Sequence, residues 1–270
     1  TRVEERPRAV AFAASTMQTA TIVGPAAGGF LYLAGPQAVF LTATIGHALA
    51  SMAMFMISAQ RRAQEKREKF SLDAFRTGAR FIVSRPVLLG ALSLDLVAVL
   101  FAGVVALLPI YATDILDAGP QGLGWLRSSQ AAGALSMALF LARFPIRRHA
   151  GRWLFTASAI FGLSILGFGL SRLLLLSMLF CFFEGAADMV SVVVRLTLIQ
   201  NETPDALRGR VSSVNSLFIS ASNSLGEFES GLAARLFGVV PATLLGGGIS
   251  LLTTALWMKL FPDLRRRDQL

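Results

Sequence analysis

Arg143-Phe-Pro-Ile-Arg-Arg-His-Ala-Gly-Arg152 carries four arginines. The next eighteen residues, Trp153-Leu-Phe-Thr-Ala-Ser-Ala-Ile-Phe-Gly-Leu-Ser-Ile-Leu-Gly-Phe-Gly-Leu170, carry no charge, and the chain then turns at Ser171-Arg172. As a helix, such a stretch rises about 27 Å, close to the ~30 Å hydrocarbon core of a bilayer. The same alternation runs through the whole sequence. Apolar stretches over 9–34, 37–59, 87–113, 122–142, 153–170, 173–198, 211–238 and 241–261 are each long enough to cross. On one side they are joined by Gly35-Pro36, residues 117–122, Ser171-Arg172 and Val239-Val240-Pro241, short joints poor in Lys and Arg. On the other side lie residues 1–8, 60–86, 143–152, 199–210 and the tail from Lys259, which hold 21 of the 25 Lys and Arg residues. The positive-inside rule places that side, and both termini, in the cytoplasm. The expectation is an all-α polytopic protein with eight transmembrane helices.

Composition excludes several alternatives. Apolar residues make up 54% of the chain and charged residues 15%, against roughly a quarter charged in soluble domains, and the mean hydropathy is +0.62. The net charge of +9 is spread as punctuation between apolar stretches, not gathered on a patch as nucleic-acid binding needs. Nucleic acid is therefore not an expected partner; membrane lipid is. The single cysteine, Cys181, lies in an apolar run and supports neither a disulfide nor a zinc site. There is no HExxH, GxSxG, Walker loop or Cys/His cluster, so no enzyme, metal or cofactor is expected. The sequence opens on Thr1 without a signal peptide, which reads as a piece of a longer protein.

Residues 60–86 are too long for a simple turn. Leu72, Phe75, Ala79 and Ile82-Val83 recur at helical spacing, with Arg76 and Arg80 on the other face. That pattern predicts an amphipathic helix on the cytoplasmic surface, the alternative being a solvated basic loop.

Charge inside the apolar stretches marks the candidate site. Asp95 lies about 12 Å into the third stretch by helical rise. Glu184, Asp188 and Arg195 fall within about 40° of one face of the sixth. An ionised group at that depth costs at least ~2.5–3.5 kcal/mol, so it faces a cavity or a partner. Desolvation also favours the neutral carboxyl, which suits proton carriage. Glu184, near mid-membrane, is the leading proton-carrier candidate, and Asp188 is expected to be held ionised by Arg195, either as part of the mechanism or as a static bridge. Asn223 and Glu227 form a second polar pair, four apart in the seventh stretch. His47 could titrate near neutral pH but reads more simply as a hydrogen-bonded packing residue, and Trp125, Trp153 and Trp257 read as interface anchors.

Three stretches carry a family resemblance. Ala20-Thr-Ile-Val-Gly24-Pro25-Ala-Ala-Gly28-Gly29 presents small residues four apart beside a helix-kinking proline. It resembles the antiporter motif in the fifth helix of major facilitator superfamily exporters, with Ala20 where Gly is usual. Arg147-Arg148-His-Ala-Gly151-Arg152 resembles the basic loop between that fold's eighth and ninth helices, without its usual acidic residue. Thr203-Pro-Asp205-Ala-Leu-Arg208-Gly209-Arg210-Val211, with Asn215 and the Gly226-Glu227-Phe-Glu-Ser-Gly231 run, resembles the exporter group that includes the enterobactin exporter. The resemblance implies helices five to twelve of a twelve-helix fold. Residues 1–59 would be the last two helices of the N-terminal bundle, 60–86 a linker and 87–270 the C-terminal six-helix bundle. It further implies export of a small organic molecule by proton antiport, in the bacterial inner membrane and by a monomer when full length. An uptake symporter and a transport-inactive scaffold remain open. Arg208 and Arg210 sit where the helix dipole repels cations, so partners such as Asp205, Glu202 or lipid phosphates are expected. The two basic loops would then either latch an inner gate or serve topology alone.

Overall fold

The computed structural model describes residues 20, 24, 27–29, 31–56, 72–146 and 148–268. Among them the backbone is helical between short turns, with no strand. The helices are α1 (Pro36–Met56), α2 (Leu72–Val83), α3 (Pro86–Phe101), α4 (Gly119–Arg143), α5 (Ala150–Leu170), α6 (Leu174–Glu202), α7 (Asp205–Phe237), α8 (Val239–Leu260) and the short α9 (Pro262–Arg266). Proline opens α3, α4 and α9, where its missing N–H and fixed φ cost nothing. Gly238, at φ 90°, makes the one-residue turn between α7 and α8, a left-handed conformation that a side chain would oppose.

Helix α4 lies along α6, α6 along α5 and α5 along α8, while α3 packs on α7 and α8. Lipid gives no hydrophobic drive for helices to associate, so close backbone approach must supply the contact. At the α4–α6 seam a Cβ on Gly133 would collide with the Phe182 carbonyl oxygen, and one on Gly185 with the Gln130 carbonyl. The two backbones touch there. At the basic end Leu94, Leu154, Val194, Leu198, Val211 and Leu264 form one core. At the other end Tyr111 and Phe168 lie in a second core, with ring centroids 4.5 Å apart.

Among the described residues the eight expected spans are met in part, and the first of them, 9–34, lies mostly outside those residues. By length and composition four described helices can cross a bilayer: α1, α5, α6 and α8. A fifth results if Asp73–Val83 and Pro86–Phe101, bent by 103°, count as one. The third predicted stretch, 87–113, is not a single helix. It ends as α3 at Phe101 and continues through a 3-10 turn (Val104–Ala106), Leu108–Ile110 and a π-helical turn over Tyr111–Ile115. Pro109 withholds a backbone donor in that segment, and Gly103 sits against the Gly226 carbonyl and Ser230 of α7. Helices α4 and α7 are long enough, at 25 and 33 residues, but each carries polar residues along its length. No residue of α1 is buried.

The amphipathic helix expected in the 60–86 segment is α2. It packs against α7 and α3 through Ile82 and Gly78, with Arg76 and Arg80 exposed. Trp257, expected as an interface anchor, donates its Nε1–H to Ser93 Oγ at 2.9 Å and ties α8 to α3.

Beyond α9 the chain folds back on the bundle. The N–H of Gly151 donates to the Arg267 carbonyl at 3.1 Å, and the N–H of His149 to the Asp268 carboxylate at 3.1 Å. Two amides at the start of α5, a region helices leave unsatisfied, thus find partners in the tail. Arg267 also pairs with Glu202 at the end of α6. Arg267→Ala is expected to cost under about 1 kcal/mol, since the pair is partly solvated. It should nonetheless speed hydrogen exchange at the Gly151 amide, and unchanged exchange there would detach the tail from α5.

Candidate functional site

Arg195 is the pivot. Its side chain is 4% exposed and pairs with Asp95 of α3, itself 11% exposed. Ser191 Oγ, one turn earlier on α6, donates to Asp95 Oδ1 at 3.3 Å. The expected partnership of Arg195 with Asp188 is therefore corrected. The two residues lie two turns apart on one helix, about 10.5 Å by rise, and the guanidinium reaches across to the neighbouring helix instead. Asp188 joins the cluster differently. It is partly buried and lines, with Asp95, Ser158 and Ser191, a void of about 20 Å³, large enough for one water. Ser158 Oγ also lies 2.7 Å from Thr254 Oγ1, so the polar seam extends from α5 to α8. One turn further from Arg195, Glu184 lines a void of about 10 Å³ together with Gln130 of α4 and Cys181. Three carboxyls, Asp95, Asp188 and Glu184, thus stand along one seam with one arginine.

Asn223 and Glu227 do not join them; both are exposed on α7. The polar residues of α7 that turn inward include Asn215 and Ser222, each about 5% exposed or less. Spacing could have found them, because Val211, Asn215, Phe218 and Ser222 follow one another at helical intervals. With Asp95 and Arg195, the side chains of Asn215, Phe218 and Ser222 line a cavity of about 230 Å³ between α2, α3 and α7.

Of the glycine-rich motif, Ala20, Gly24, Gly28 and Gly29 are helical, and Pro25 lies outside the described residues. Cβ atoms on Gly24 and Gly28 would meet nothing within 4 Å, whereas one on Gly29 would lie 2.9 Å from the Pro120 carbonyl of α4. Gly29 is thus the described motif residue in close contact with another helix. In the basic loops, Arg147 lies outside the described residues, Arg148 and Arg152 are exposed, and Gly151 is buried against the tail. Arg208 Nη2 pairs with Asp205 at 2.7 Å and donates to the Gln200 carbonyl at 3.3 Å. Gly209 is exposed, and Arg210 presents its backbone carbonyl to Gly78 of α2. Glu202, an expected partner for these arginines, is taken by Arg267. His47 bonds its own helix, Nδ1 lying 2.8 Å from the Ala43 carbonyl.

A bundle of apolar helices sewn together by a few buried ionisable groups is the build of an integral membrane transporter. The family model of the Major Facilitator Superfamily matches residues 1–227, and the chain belongs to that superfamily. Among named proteins it is similar to the enterobactin exporter EntS of Citrobacter koseri, 25% identical over 256 residues. It is likewise similar to EntS of Escherichia coli O81 and of Escherichia coli O157:H7, each 24% identical over the same length. Each alignment covers 94% of this chain and 61% of the relative, so the chain spans about three fifths of the length of the curated relatives it matches.

Proposed function

We propose that this chain is the part of a secondary active exporter that couples outward movement of a small organic molecule to inward movement of protons. The observation that carries the reading is the seam of Asp95, Asp188 and Glu184 around the single Arg195. Three ionised carboxyls and one guanidinium in low dielectric are costly. Taking up a proton, or a substrate that brings a positive group, relieves that cost, and alternating exposure to the two sides turns the relief into coupling. Glu184 is assigned the proton and Asp188 a relay position. Asp95–Arg195 is the fixed pair that orients them. Export, as opposed to uptake, is supported by the names of the relatives and by the Gly24-Pro25 and Gly28-Gly29 elements of α1's preceding segment. A siderophore, a drug and a metabolite are all substrates of suitable size.

In this reading residues 1–59 belong to one bundle, 87–270 form the other, and α2 rides the linker between them. The test is gradient-driven efflux from vesicles carrying the protein, with Glu184→Gln beside it. The glutamine variant is expected to lose at least about tenfold in gradient-driven efflux, together with its dependence on pH. Efflux of unchanged rate and pH dependence removes Glu184 from coupling. Accumulation instead of efflux under the same gradient makes the protein a symporter.

A further inference from the structure

Five exposed cations gather at one end of the bundle from three separate parts of the chain. Arg148 and Arg152 flank the start of α5, Lys259 lies in the last turn of α8, and Arg265 and Arg266 stand on α9. Gly151 brings them together. A Cβ there would collide with the Leu264 carbonyl oxygen and lie 2.9 Å from that of Arg265, so α9 is seated directly on the first turn of α5. None of the five cations has an ion-pair partner among the described residues. Of the acidic groups at this end, Asp268 faces His149 at 3.6 Å and Glu202 pairs with Arg267, which leaves the exposed Asp263 of α9. The first turn of α5 supplies no acidic residue either. The fold thus concentrates positive charge that it does not itself neutralise, and such a surface favours an anionic partner.

The surface beneath the patch says which anion. Ser158 Oγ stands 2.7 Å from Thr254 Oγ1, which sets the start of α5 beside the end of α8. Away from that end no charge occurs on α5 from Trp153 to Leu170, or on α8 from Met258 back to Val239. Both helices are long and apolar enough to cross a bilayer. Both also turn apolar side chains outward, Ile160 and Leu163 on α5 and Leu252 and Leu256 on α8, between 41% and 68% exposed. Trp153, itself exposed, stands at the junction, where indole rings meet headgroups. Nucleic acid or a soluble phosphate would use the arginines and leave the apolar wall uncovered. A phospholipid covers both.

We propose that this end of α5, α8 and α9 binds anionic phospholipid, its headgroup phosphate among Arg152, Arg265 and Arg266 and its acyl chains along the outward faces of α5 and α8. A zwitterionic lipid brings a cation with each phosphate and gains little from the patch. The binding needs no transport cycle, so it stands or falls apart from the exporter reading. Arg265 and Arg266 immediately precede the residues that satisfy the amides of His149 and Gly151. A lipid seated on them therefore also holds the folded-back tail against α5.

The experiment is quenching of tryptophan fluorescence by brominated lipid, with the full chain in phosphatidylcholine vesicles. A Trp125→Phe background leaves Trp153 as the exposed indole, beside the patch. Brominated phosphatidylglycerol is expected to associate at least about fivefold more strongly than brominated phosphatidylcholine. Arg152→Gln with Arg265→Gln and Arg266→Gln should bring that ratio to within about twofold of unity. Arg76→Gln with Arg80→Gln and Arg85→Gln removes the same number of charges from α2 and its joint with α3, and should leave the ratio as it is. Each variant is first shown to elute as the parent does. If the patch triple fails to fold, Arg266→Gln alone should lower the ratio by about twofold. Equal association of the two lipids, a preference that survives the patch substitutions, or an equal loss in both triple variants overturns the proposal. Inorganic phosphate in the medium is expected to leave quenching by phosphatidylglycerol unchanged. Displacement of the lipid by phosphate would make this a soluble-anion site and overturn the lipid assignment.

Discussion

Asp95→Ala is expected to destabilise the bundle by about 3–5 kcal/mol, the cost of stranding one partner of a buried ion pair. Arg195 is 4% exposed, so it cannot turn to water without dragging α6 out of register with α3. Ser191 loses its acceptor at the same time. The measurement is thermal unfolding in detergent or lipid, followed by the same measurement on Asp95→Ala with Arg195→Met. The double variant should recover most of the loss, because removing both charges leaves no uncompensated ion. Recovery separates the burial cost of the arginine from any general damage at position 95. A single variant as stable as the parent would show that the pair is not buried in the folded protein.

The second large effect belongs to the α4–α6 seam. Gly185→Val places two methyl groups where even a Cβ collides with the Gln130 carbonyl, and Gly133→Val does the same to Phe182. Backbone cannot yield as a side-chain tip can, so the helices must separate. Separation parts Glu184 from Gln130, which line one small void at that seam. Either substitution is expected to cost more than about 3 kcal/mol, above the usual range for overpacking, and to abolish gradient-driven transport. An engineered cysteine pair across the seam should crosslink readily in the parent and poorly in the valine variants. Equal crosslinking in all three would mean that the seam tolerates side chains and is not a direct backbone contact.

Much of this was legible in the sequence for a physical reason. Membrane spans are written in long uninterrupted stretches, and Trp153–Leu170 reads as a helix without any knowledge of its neighbours. The amphipathic α2 was equally open to reading, since Phe75, Ala79 and Ile82 repeat with the period of one helix face. What failed was whatever depends on two helices at once. The partner of Arg195 could not be read from α6 alone, because a helix periodicity orders residues on one face and says nothing of what lies across from it. Asn223 and Glu227 drew attention as charged or amide groups, while the inward residues Asn215 and Ser222 were hidden by their modest chemistry. The break after Phe101 was missed because Gly103 and Pro109 are tolerated in membrane helices, and only the contact with Gly226 and Ser230 of α7 shows their use.

The fold-back of the tail sets a schedule for assembly. The amide of His149 is satisfied by a carboxylate 119 residues further along the chain. At ordinary elongation rates of about 5–20 residues per second, the start of α5 waits on the order of ten seconds after its own synthesis for that partner. Throughout the interval its first amides must be served by water or lipid headgroups. Insertion of α5 into the membrane and completion of its end are therefore separate events, and a nascent chain halted after α8 would carry the whole helical seam with one of its mouths still open.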